Sequence, residues 1–330
     1  MAARPPGEFE LIALFTRALP LEGGEVVLGP GDDAAVLRPR PGEDLVATVD
    51  AVVDGVHFDR RATKADVGWK SLAVNLSDLA AMGARPVAAL VALALPRGVR
   101  AAAVRELARG LGACARAHRI PIVGGNVTRA DVLSVTVTAL GAVPRGRAVL
   151  RAGARPGDLV AVTGTLGDAA LGLRRGAAPA LARRQRRPTP RVAAGLALAP
   201  LAHAAVDVSD GLVQDLGHLC RASGVGCRIG VAELPLSPAY RRAAARLADP
   251  FAAALAGGED YELVLALPPT ALGAARAAAA RARTPLAVIG RFVRGAGVEV
   301  VGTDGRPRPG PAGHDHLRSP AWSGPGGRLG

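Results

Sequence analysis

The stretch DVSDGLVQDL, residues 207–216, decides the organisation of this chain of 330 residues. The apolar run Ala204–Val206 leads into it and a helix-periodic segment follows, which predicts a strand, a glycine-containing turn and a helix in succession. Asp207, Ser209 and Asp210 lie in the turn. Short oxygen side chains in such a turn either cap the helix or bind a hard cation.

Three further turns combine carboxylates with glycine and apolar neighbours. They are GDDAAV at 31–36, TVDAVVDGVH at 48–57 and GGEDYE at 257–262. Scattered carboxylates belong on a solvated surface, whereas carboxylates repeatedly set between glycines and strand-like runs indicate ligands. Mg²⁺ together with phosphate is the natural candidate. A Ca²⁺-stabilised structural protein is an alternative, although EF-hand spacing is absent.

Length and composition indicate a globular protein of two domains. A chain of this length exceeds one comfortable core, and 49% hydrophobic residues can bury two. The formal net charge is +13, but the arginines are dispersed. Their one dense run, Arg183–Arg187, indicates an exposed loop or helix end rather than a nucleic-acid surface. We therefore expect no nucleic-acid partner.

The chain shows no membrane or secretion signal. A run of about 18 apolar residues is absent, and the N-terminal segment lacks the basic-then-apolar pattern of a signal peptide. We expect a cytoplasmic location and no membrane partner. Cys114, Cys220 and Cys227 lack the spacing of a zinc site or a disulfide framework, so buried thiols are expected.

The best-defined predicted helix begins at a capping box of Thr63 and Asp66 and runs to Met82. Asn75 and Asp78 share one face of it. Asp78 lies near the helix C-terminus, where burial and the helix dipole both oppose its charge, and a bound cation would relieve that. An exposed Asp at the polar edge of the helix is the alternative.

Apolar periodicity predicts the remaining elements. The first half has a helix over 8–18, strands over 26–28, 34–37, 45–49 and 87–95, a helix over 99–117, and strands over 120–123 and 132–143. The second half has strands over 159–163, 204–206, 226–230, 262–267 and 286–290, and helices over 190–198, 209–222 and 269–282. Segment 145–156 is typical of a passage between domains. The alternation after it indicates an α/β fold.

Two glycine-containing segments are candidates for backbone contacts to a ligand. The strand over 120–123 is expected to break at GGNVTRAD, where Gly124 and Gly125 let the backbone approach a ligand closely and Asn126 supplies an oxygen. The turn GTLGD at 164–168 precedes a helix N-terminus, so it either holds an anion or is an ordinary connection.

The chain lacks the signatures of two large classes of phosphoryl-transfer enzymes. It has no GxxxxGK[ST] loop, and it has neither the strand lysine nor the HRD loop of protein kinases. Lys64 and Lys70 are its only lysines, and neither follows a glycine loop. Phosphoryl transfer would therefore depend on clusters of Mg²⁺, with arginine to offset charge.

Six motifs together resemble the thiamine-monophosphate kinase family. They are GDDAAV, TVDAVVDGVHF, NLSDLAAMGA at 75–84, VTGTLGDAALGL at 162–173, DVSDGLVQDL and GGEDYEL, with order and spacing preserved from Glu8 to about Leu317. Its superfamily includes aminoimidazole ribonucleotide synthetase, selenophosphate synthetase and the hydrogenase-maturation protein HypE. The resemblance implies a two-domain PurM-like architecture of the α/β class, with α+β character in the N-terminal half.

The resemblance also implies an organisation and a reaction. Residues 1–150 would bind ATP and Mg²⁺ and form a homodimer through their sheet, residues 151–317 would form an α/β domain, and residues 318–330 would be a disordered tail. ATP would be the co-substrate and thiamine monophosphate the acceptor, with direct in-line transfer giving thiamine diphosphate. The acceptor phosphate is already largely ionised at neutral pH, so no residue is assigned as a general base.

Matching positions give the expected roles of individual residues. The Mg²⁺ ligands implied are Asp33, Thr48, Val49 through its backbone, Asp50, Asp78, Asn126, Asp207 and Asp210. The ATP contacts implied are Gly125, Asn126, Arg151 and Ser209, and the contacts to thiamine monophosphate are His57, Glu259 and Leu317.

Two positions depart from the family pattern. Asn126 offers a neutral carbonyl where the family commonly has Asp, which implies a weaker Mg²⁺ site or one completed by water or Asp131. Leu317 stands where the family tends to place an aromatic residue against the thiamine rings, and His316 or Trp322 could substitute. A non-catalytic ATP- or phosphate-binding regulatory protein of the same fold is therefore one alternative. Another ATP-dependent enzyme of the superfamily is the second.

Overall fold

The structure, a computed structural model, describes residues 7–174 and 176–308. The elements of the first half are α1 (Glu8–Thr16), β1 (Val26–Leu28), β2 (Val36–Leu37), β3 (Glu43–Val53), α2 (Lys64–Ala81), β4 (Arg85–Leu95), α3 (Ala101–His118), β5 (Ile122–Arg129) and β6 (Ser134–Pro144). The second half starts with β7 (Leu159–Thr163), α4 (Asp168–Gly172), α5 (Pro179–Arg186), α6 (Val192–Leu198), β8 (Ala204–Asp207), α7 (Leu212–Ser223) and β9 (Gly226–Gly230). It continues with α8 (Pro238–Ala244), α9 (Ala252–Ala256), β10 (Leu263–Leu267), α10 (Leu272–Arg281), β11 (Leu286–Val293), β12 (Gly297–Val301) and β13 (Pro307–Arg308).

Each half contributes one main sheet. In the first half the order is β3-β6-β4-β5, with β4 and β5 parallel and the other neighbours antiparallel. In the second half the order is β13-β12-β9-β11-β7-β10-β8, and only β9 and β12 pair in parallel among its described strands. The predicted mixture of helices and strands is confirmed. Its mostly antiparallel pairing is a tertiary result that the alternation along the sequence does not determine.

Helix α2 lies between the two sheets. Leu76 of α2 is completely buried and belongs to one hydrophobic core with Val137 of the first sheet and Leu265 of the second. Because this core spans both halves, packing alone does not divide the chain, and the domain boundary at residue 150 stays a prediction. The helix therefore carries its side chains directly into the space between the halves.

The capping box predicted for α2 is confirmed. The Thr63 hydroxyl accepts the backbone N–H of Asp66 at 3.1 Å, and the Asp66 carboxylate accepts the backbone N–H of Thr63 at 3.1 Å. These two bonds satisfy N–H groups that have no partner within the helix. Local sequence thus fixes where α2 begins, and consequently where its later residues lie.

Two predicted strand ends were wrong by four residues or more. The strand expected to break at Gly124 continues as β5 to Arg129, because its backbone pairs along β4. A Cβ on Gly125 would lie 1.9 Å from the carbonyl oxygen of Val91, so glycine there permits close strand pairing. The strand expected to end at Val49 runs to Val53, which places Asp50 within β3.

All three cysteines lie in the described residues. Cys114, Cys220 and Cys227 are buried and free, as predicted. Across residues 7–174 and 176–308, no helix has the length and apolar character needed to cross a bilayer.

Candidate active site

Three aspartates from distant parts of the chain form a carboxylate cluster, comprising Asp50 of β3, Asp78 of α2 and Asp207 of β8. The Thr48 hydroxyl donates to Asp78 Oδ2 at 2.5 Å, and the Ser77 hydroxyl donates to Asp207 Oδ2 at 2.6 Å. These bonds orient two of the three carboxylates from neighbouring elements.

The cluster concentrates negative charge. Burial and then the charge of Asp78 raise the pKa of Asp207 well above its usual value, and Asp50 adds to the effect while the Ser77 hydroxyl opposes it. Burial likewise raises the pKa of Asp78, opposed by the Thr48 hydroxyl and by the charge of Arg151. The three carboxylates are therefore near enough for the charges of Asp78 and Asp50 to act on Asp207. The alternative of Asp78 as an exposed edge residue is not what the structure shows.

The loop of Gly257–Glu262 is held against the loop that follows β8. The backbone N–H of Glu259 donates to the Ser209 carbonyl at 2.8 Å, and that of Tyr261 donates to the Val208 carbonyl at 2.9 Å. Gly211 has a φ of 119°, and a Cβ there would lie 2.7 Å from the carbonyl oxygen of Ala256. Glycine therefore lets these two motifs approach closely.

A second group of polar residues, the Lys70 cluster, consists of His57, Lys70, Gln185 and Glu259. Lys70 Nζ donates to Glu259 Oε1 at 2.5 Å and to the His57 carbonyl at 2.9 Å. Gln185 Nε2 donates to Glu259 Oε2 at 3.1 Å and to the same carbonyl at 3.4 Å. The ring Nδ1 of His57 accepts the backbone N–H of Val53 at 3.1 Å, which in a neutral ring places the proton on Nε2.

The two clusters adjoin one another around Tyr261. Burial raises the pKa of the Tyr261 phenol well above its usual value, and the next contributions come from Glu259, Asp50, Asp207 and Asp78 in that order. One buried ring thus experiences charges from both groups. The two predicted contacts to thiamine monophosphate, His57 and Glu259, therefore lie beside the predicted metal ligands.

Asp210 lies in the turn just before α7, in a small group with Asp215 and His218. One ligand atom from each lies within 4.8 Å of the other two. Asp215 Oδ2 accepts the backbone N–H groups of Ser209, Asp210 and Gly211, each at 3.1 Å. Burial and then the charge of Asp210 raise the pKa of Asp215 to about 7. Asp215 therefore acts as the local cap of the turn that presents Ser209 and Asp210.

Among the other predicted site residues, Asp33, Val49 and Arg151 are exposed. Asp33 is exposed in the loop between β1 and β2, where its backbone N–H donates to Asp32. Val49, predicted to act through its backbone, lies between Thr48 and Asp50 in β3 and is 60% exposed on the outer face of the first sheet, and its role stays a prediction. Arg151 is exposed, although its charge acts on both Asp78 and His218. Leu317, with the tail from residue 318, lies outside the described residues.

Asn126 lies on the opposite face of the sheet from Asp50. It is in register with Ala92 of β4, whereas Asp50 is in register with Val137, which pairs with Val91. Side chains of paired residues point to one face, and neighbouring residues along a strand point to opposite faces. The exposed side chain of Asn126 therefore does not join the carboxylate cluster within one chain, and the assignments of Gly125 and Asn126 stay predictions.

The glycine-rich turn at 164–168 and the arginine-rich segment at 183–187 both contact carboxylates within the protein. The backbone N–H groups of Gly167 and Ala169, in the turn considered for anions, donate to the buried Asp260 carboxylate at 2.5 and 3.2 Å. Burial raises the pKa of Asp260 to about 8. Segment 183–187 lies at the C-terminal end of α5, which agrees with the predicted helix end, but most of it is not exposed, and its Arg184 bonds to Glu262 at 2.7 Å.

Sequence reasoning missed Lys70, Gln185, Ser77 and Tyr261 as members of the site. The available signal was Lys70, one of only two lysines, which interrupts the apolar stretch of the central helix. A charged residue is almost never fully buried without a partner. The sequence could therefore have indicated a buried acidic partner, but not which one.

Comparisons with known proteins show the family to which this chain belongs. The family models for the N-terminal and C-terminal domains of AIR synthase related proteins match residues 31–143 and 155–303. The chain is 43% identical over 307 residues to the thiamine-monophosphate kinase of Caulobacter vibrioides, covering 90% of this chain and 87% of the relative. It is 42% identical over 299 residues to that of Escherichia coli K12, covering 87% and 90%.

The chain belongs to the thiamine-monophosphate kinase family.

Solved structures of the thiamine-monophosphate kinase family share the fold. The enzyme from Stenotrophomonas maltophilia K279a has a TM-score of 0.80 and 43% identity, covering 90% of this chain and 95% of that one. AaThiL complexed with AMPPCP and TMP has a TM-score of 0.74 and 33% identity, covering 95% and 99%. The hydrogenase-maturation protein HypE in complex with ATP, at 22% identity and a TM-score of 0.74, shares the fold alone. The predicted PurM-like fold is confirmed.

The donors of the carboxylate cluster fit Mg²⁺. They are carboxylate and hydroxyl oxygens, which hard divalent cations prefer. The raised pKa values of Asp78 and Asp207 reflect burial and repulsion that Arg151 offsets only in part at Asp78. A divalent cation would remove this repulsion, so the residues present suit the metal that the family resemblance implies.

Proposed function

We propose that this protein transfers the γ-phosphoryl group of ATP directly to the phosphate of thiamine monophosphate, giving ADP and thiamine diphosphate. The observation that carries the proposal is the grouping of Asp50, Asp78 and Asp207 next to the Lys70 cluster, which contains His57 and Glu259. Relatives named thiamine-monophosphate kinase over most of the chain, and a solved relative bound to AMPPCP and TMP, support it.

In this proposal Asp50, Asp78, Asp207 and Thr48 would hold Mg²⁺, with Asp33, Asp210 and the backbone of Val49 as further ligands. The chemistry that Mg²⁺ would supply, held by these residues, is positive charge against the negative charge of the phosphates during transfer. The Thr48 and Ser77 hydroxyls hold two carboxylates in place before substrates arrive. Such prior positioning lowers the reorganisation needed during reaction.

The remaining residues have proposed roles in binding. Arg151, whose charge already reaches Asp78, would contact ATP together with Ser209. His57 and Glu259 would contact the thiamine part of the acceptor. No side chain is assigned as a general base, because the acceptor oxygen belongs to a phosphate that is largely ionised at neutral pH. The cytoplasmic location stays a prediction.

The reaction is tested with purified protein, ATP, Mg²⁺ and thiamine monophosphate. We expect ADP and thiamine diphosphate in equal amounts by anion-exchange chromatography, and no product when EDTA replaces Mg²⁺. The matched control supplies ADP in place of ATP, which has no γ-phosphoryl group to give. ATP binding without thiamine diphosphate formation would favour the non-catalytic alternative.

We further propose that a second copy of the chain covers the outer face of the first sheet. Helices α2 and α3 pack on its inner face, while the outer face exposes Leu45 (53%), Val49 (60%) and Leu90 (37%). Contiguous exposed apolar side chains of this kind mark interaction surfaces. Asn126 lies on the same outer face, so in a homodimer it would lie at the subunit boundary.

Replacing Leu45 with Glu is expected to convert the dimer to a monomer, because the new charge would be buried without a partner. Light scattering after size-exclusion chromatography measures the mass of the particle. Leu196→Glu is the matched control, since Leu196 is an exposed leucine of α6 in the other half. A monomeric wild-type protein, or a dimeric Leu45→Glu variant, would contradict the proposal.

A further inference from the structure

Lys70 is buried at the centre of the molecule and is used entirely for internal contacts. Its side chain is 2% exposed, and its partner Glu259 is 19% exposed. The ammonium group donates to the Glu259 carboxylate and to the His57 main-chain carbonyl. A buried ammonium of this kind is stable only with a close charged partner, so the contact with Glu259 is essential to it.

Gln185 repeats both of these contacts from the other half of the chain. Its amide bonds to the second oxygen of Glu259 and to the same His57 carbonyl. Gln185 is 5% exposed and lies in α5, whereas Lys70 lies in α2. Both oxygens of Glu259 are thus held by two donors that reach it from different directions.

The backbone of Glu259 is itself constrained. Its φ is 69°, in the left-handed region that non-glycine residues seldom adopt, and its N–H donates to the Ser209 carbonyl. Such a conformation persists only where the surrounding contacts determine it. The position of the carboxylate therefore depends on contacts outside its own loop, and Lys70 provides the only charged one among the described residues.

Helix α2 also sets the distance between this group and the carboxylate cluster. Lys70 and Asp78 are eight residues apart on one helix, which corresponds to about 12 Å along its axis. An acceptor with its phosphate at Asp78 would therefore extend its ring end toward Lys70. The thiamine ring system carries an amino group that can donate a hydrogen bond, and Glu259 is the available carboxylate acceptor.

We infer that Lys70 is a positioning residue for acceptor binding, acting through the Glu259 carboxylate and the His57 main chain. The inference rests on the proposed function and deepens it. Lys70 itself has no role at the transferring phosphoryl group. Its removal should therefore weaken binding of thiamine monophosphate and leave ATP binding and the transfer step largely unchanged.

Lys70→Met keeps the length of the side chain and removes its charge. We expect KM for thiamine monophosphate to rise about 30-fold, which corresponds to the loss of one charged hydrogen-bond donor. The kcat and the KM for ATP should each change less than about threefold. Lys64→Met is the matched control, because Lys64 is the other lysine and lies over the Phe58 ring at the start of the same helix. It should leave all three constants unchanged.

A double-mutant cycle tests whether Lys70 acts through Glu259. We expect the double variant, Lys70→Met with Glu259→Gln, to have a KM for thiamine monophosphate no higher than that of the worse single variant. The second substitution removes a contact that the first has already broken. Multiplication of the two single effects would overturn the inference. So would a Lys70→Met variant with a lowered Tm and an unchanged KM, since that result assigns a structural role alone.

Two additional measurements keep the result decisive. Should Lys70→Met fail to fold, Gln185→Met removes the other donor, and we expect a three- to fivefold rise in the same KM. Calorimetric titration with thiamine monophosphate alone separates the inference from the reaction. If the wild type binds thiamine monophosphate but forms no product, the proposed function is wrong. In that case the inference stands only if Lys70→Met weakens the binding. Absence of both binding and turnover in the wild type would defeat both.

Discussion

Replacing Asp78 with Asn is expected to lower the turnover of thiamine monophosphate by about a thousandfold or more while the protein stays folded. Asparagine keeps the shape of the side chain and an oxygen that can accept the Thr48 hydroxyl, which now lies 2.5 Å from Asp78. The substitution removes one negative charge from the proposed metal ligands. Loss of about 4 kcal/mol of transition-state stabilisation corresponds to that factor.

The same substitution is expected to stabilise the protein when Mg²⁺ is absent. Folding raises the pKa of Asp78 and Asp207 above the usual 3.8, so above about pH 4 the folded state binds more protons than the unfolded state. The free energy of unfolding of the metal-free wild type therefore falls as pH rises toward neutrality. In the variant it should fall less steeply, and at pH 7 it should be higher by roughly 1 kcal/mol.

Urea unfolding in EDTA at pH 5 and pH 8 measures the stability, and product formation measures the turnover. Asp44→Asn is the matched control, because Asp44 is an exposed carboxylate near the start of β3, six residues before Asp50 of the carboxylate cluster. It should leave turnover and the pH slope unchanged. An Asp78→Asn variant with wild-type turnover would exclude Asp78 as a metal ligand.

The second large effect concerns the buried carboxylate of Glu262. Glu262 is completely buried, and it bonds to Arg184 at 2.7 Å, to Arg191 at 2.6 Å and to the Thr163 hydroxyl at 2.8 Å. Glu262→Gln leaves two guanidinium groups facing a neutral amide. Removing one charged partner of a buried ion pair costs about 3 kcal/mol or more, because the other charge stays buried without compensation. We therefore expect the free energy of unfolding to fall by that amount.

An exposed ion pair provides the comparison for Glu262. Arg228 and Glu299 lie 3.3 Å apart, with side chains 53% and 44% exposed. Glu299→Gln should change the free energy of unfolding by less than about 0.5 kcal/mol, because water already solvates both charges. Urea unfolding at pH 7 measures both variants. Equal effects would mean that the Arg184–Glu262–Arg191 group contributes no more than a surface pair.

Much of the local structure could be predicted from the sequence. The capping box fixed the start of α2, and apolar runs fixed β4 and β7 to within a residue or two. The prediction was wrong at Gly124, because pairing with β4 overrides the preference of glycine for a turn. Strand pairing contributes a continuous set of backbone hydrogen bonds, which outweighs the preference of two residues.

The sequence by itself determined which residue types carry the chemistry, because turn formation, helix capping and the setting of carboxylates beside glycine depend on a few consecutive residues. Only the tertiary structure decided which of them meet. Lys70 and Glu259 are 189 positions apart, and Asn126 faces away from Asp50 although both lie in the same sheet. Such contacts depend on strand register and helix packing, where a shift of one residue turns a side chain to the opposite face.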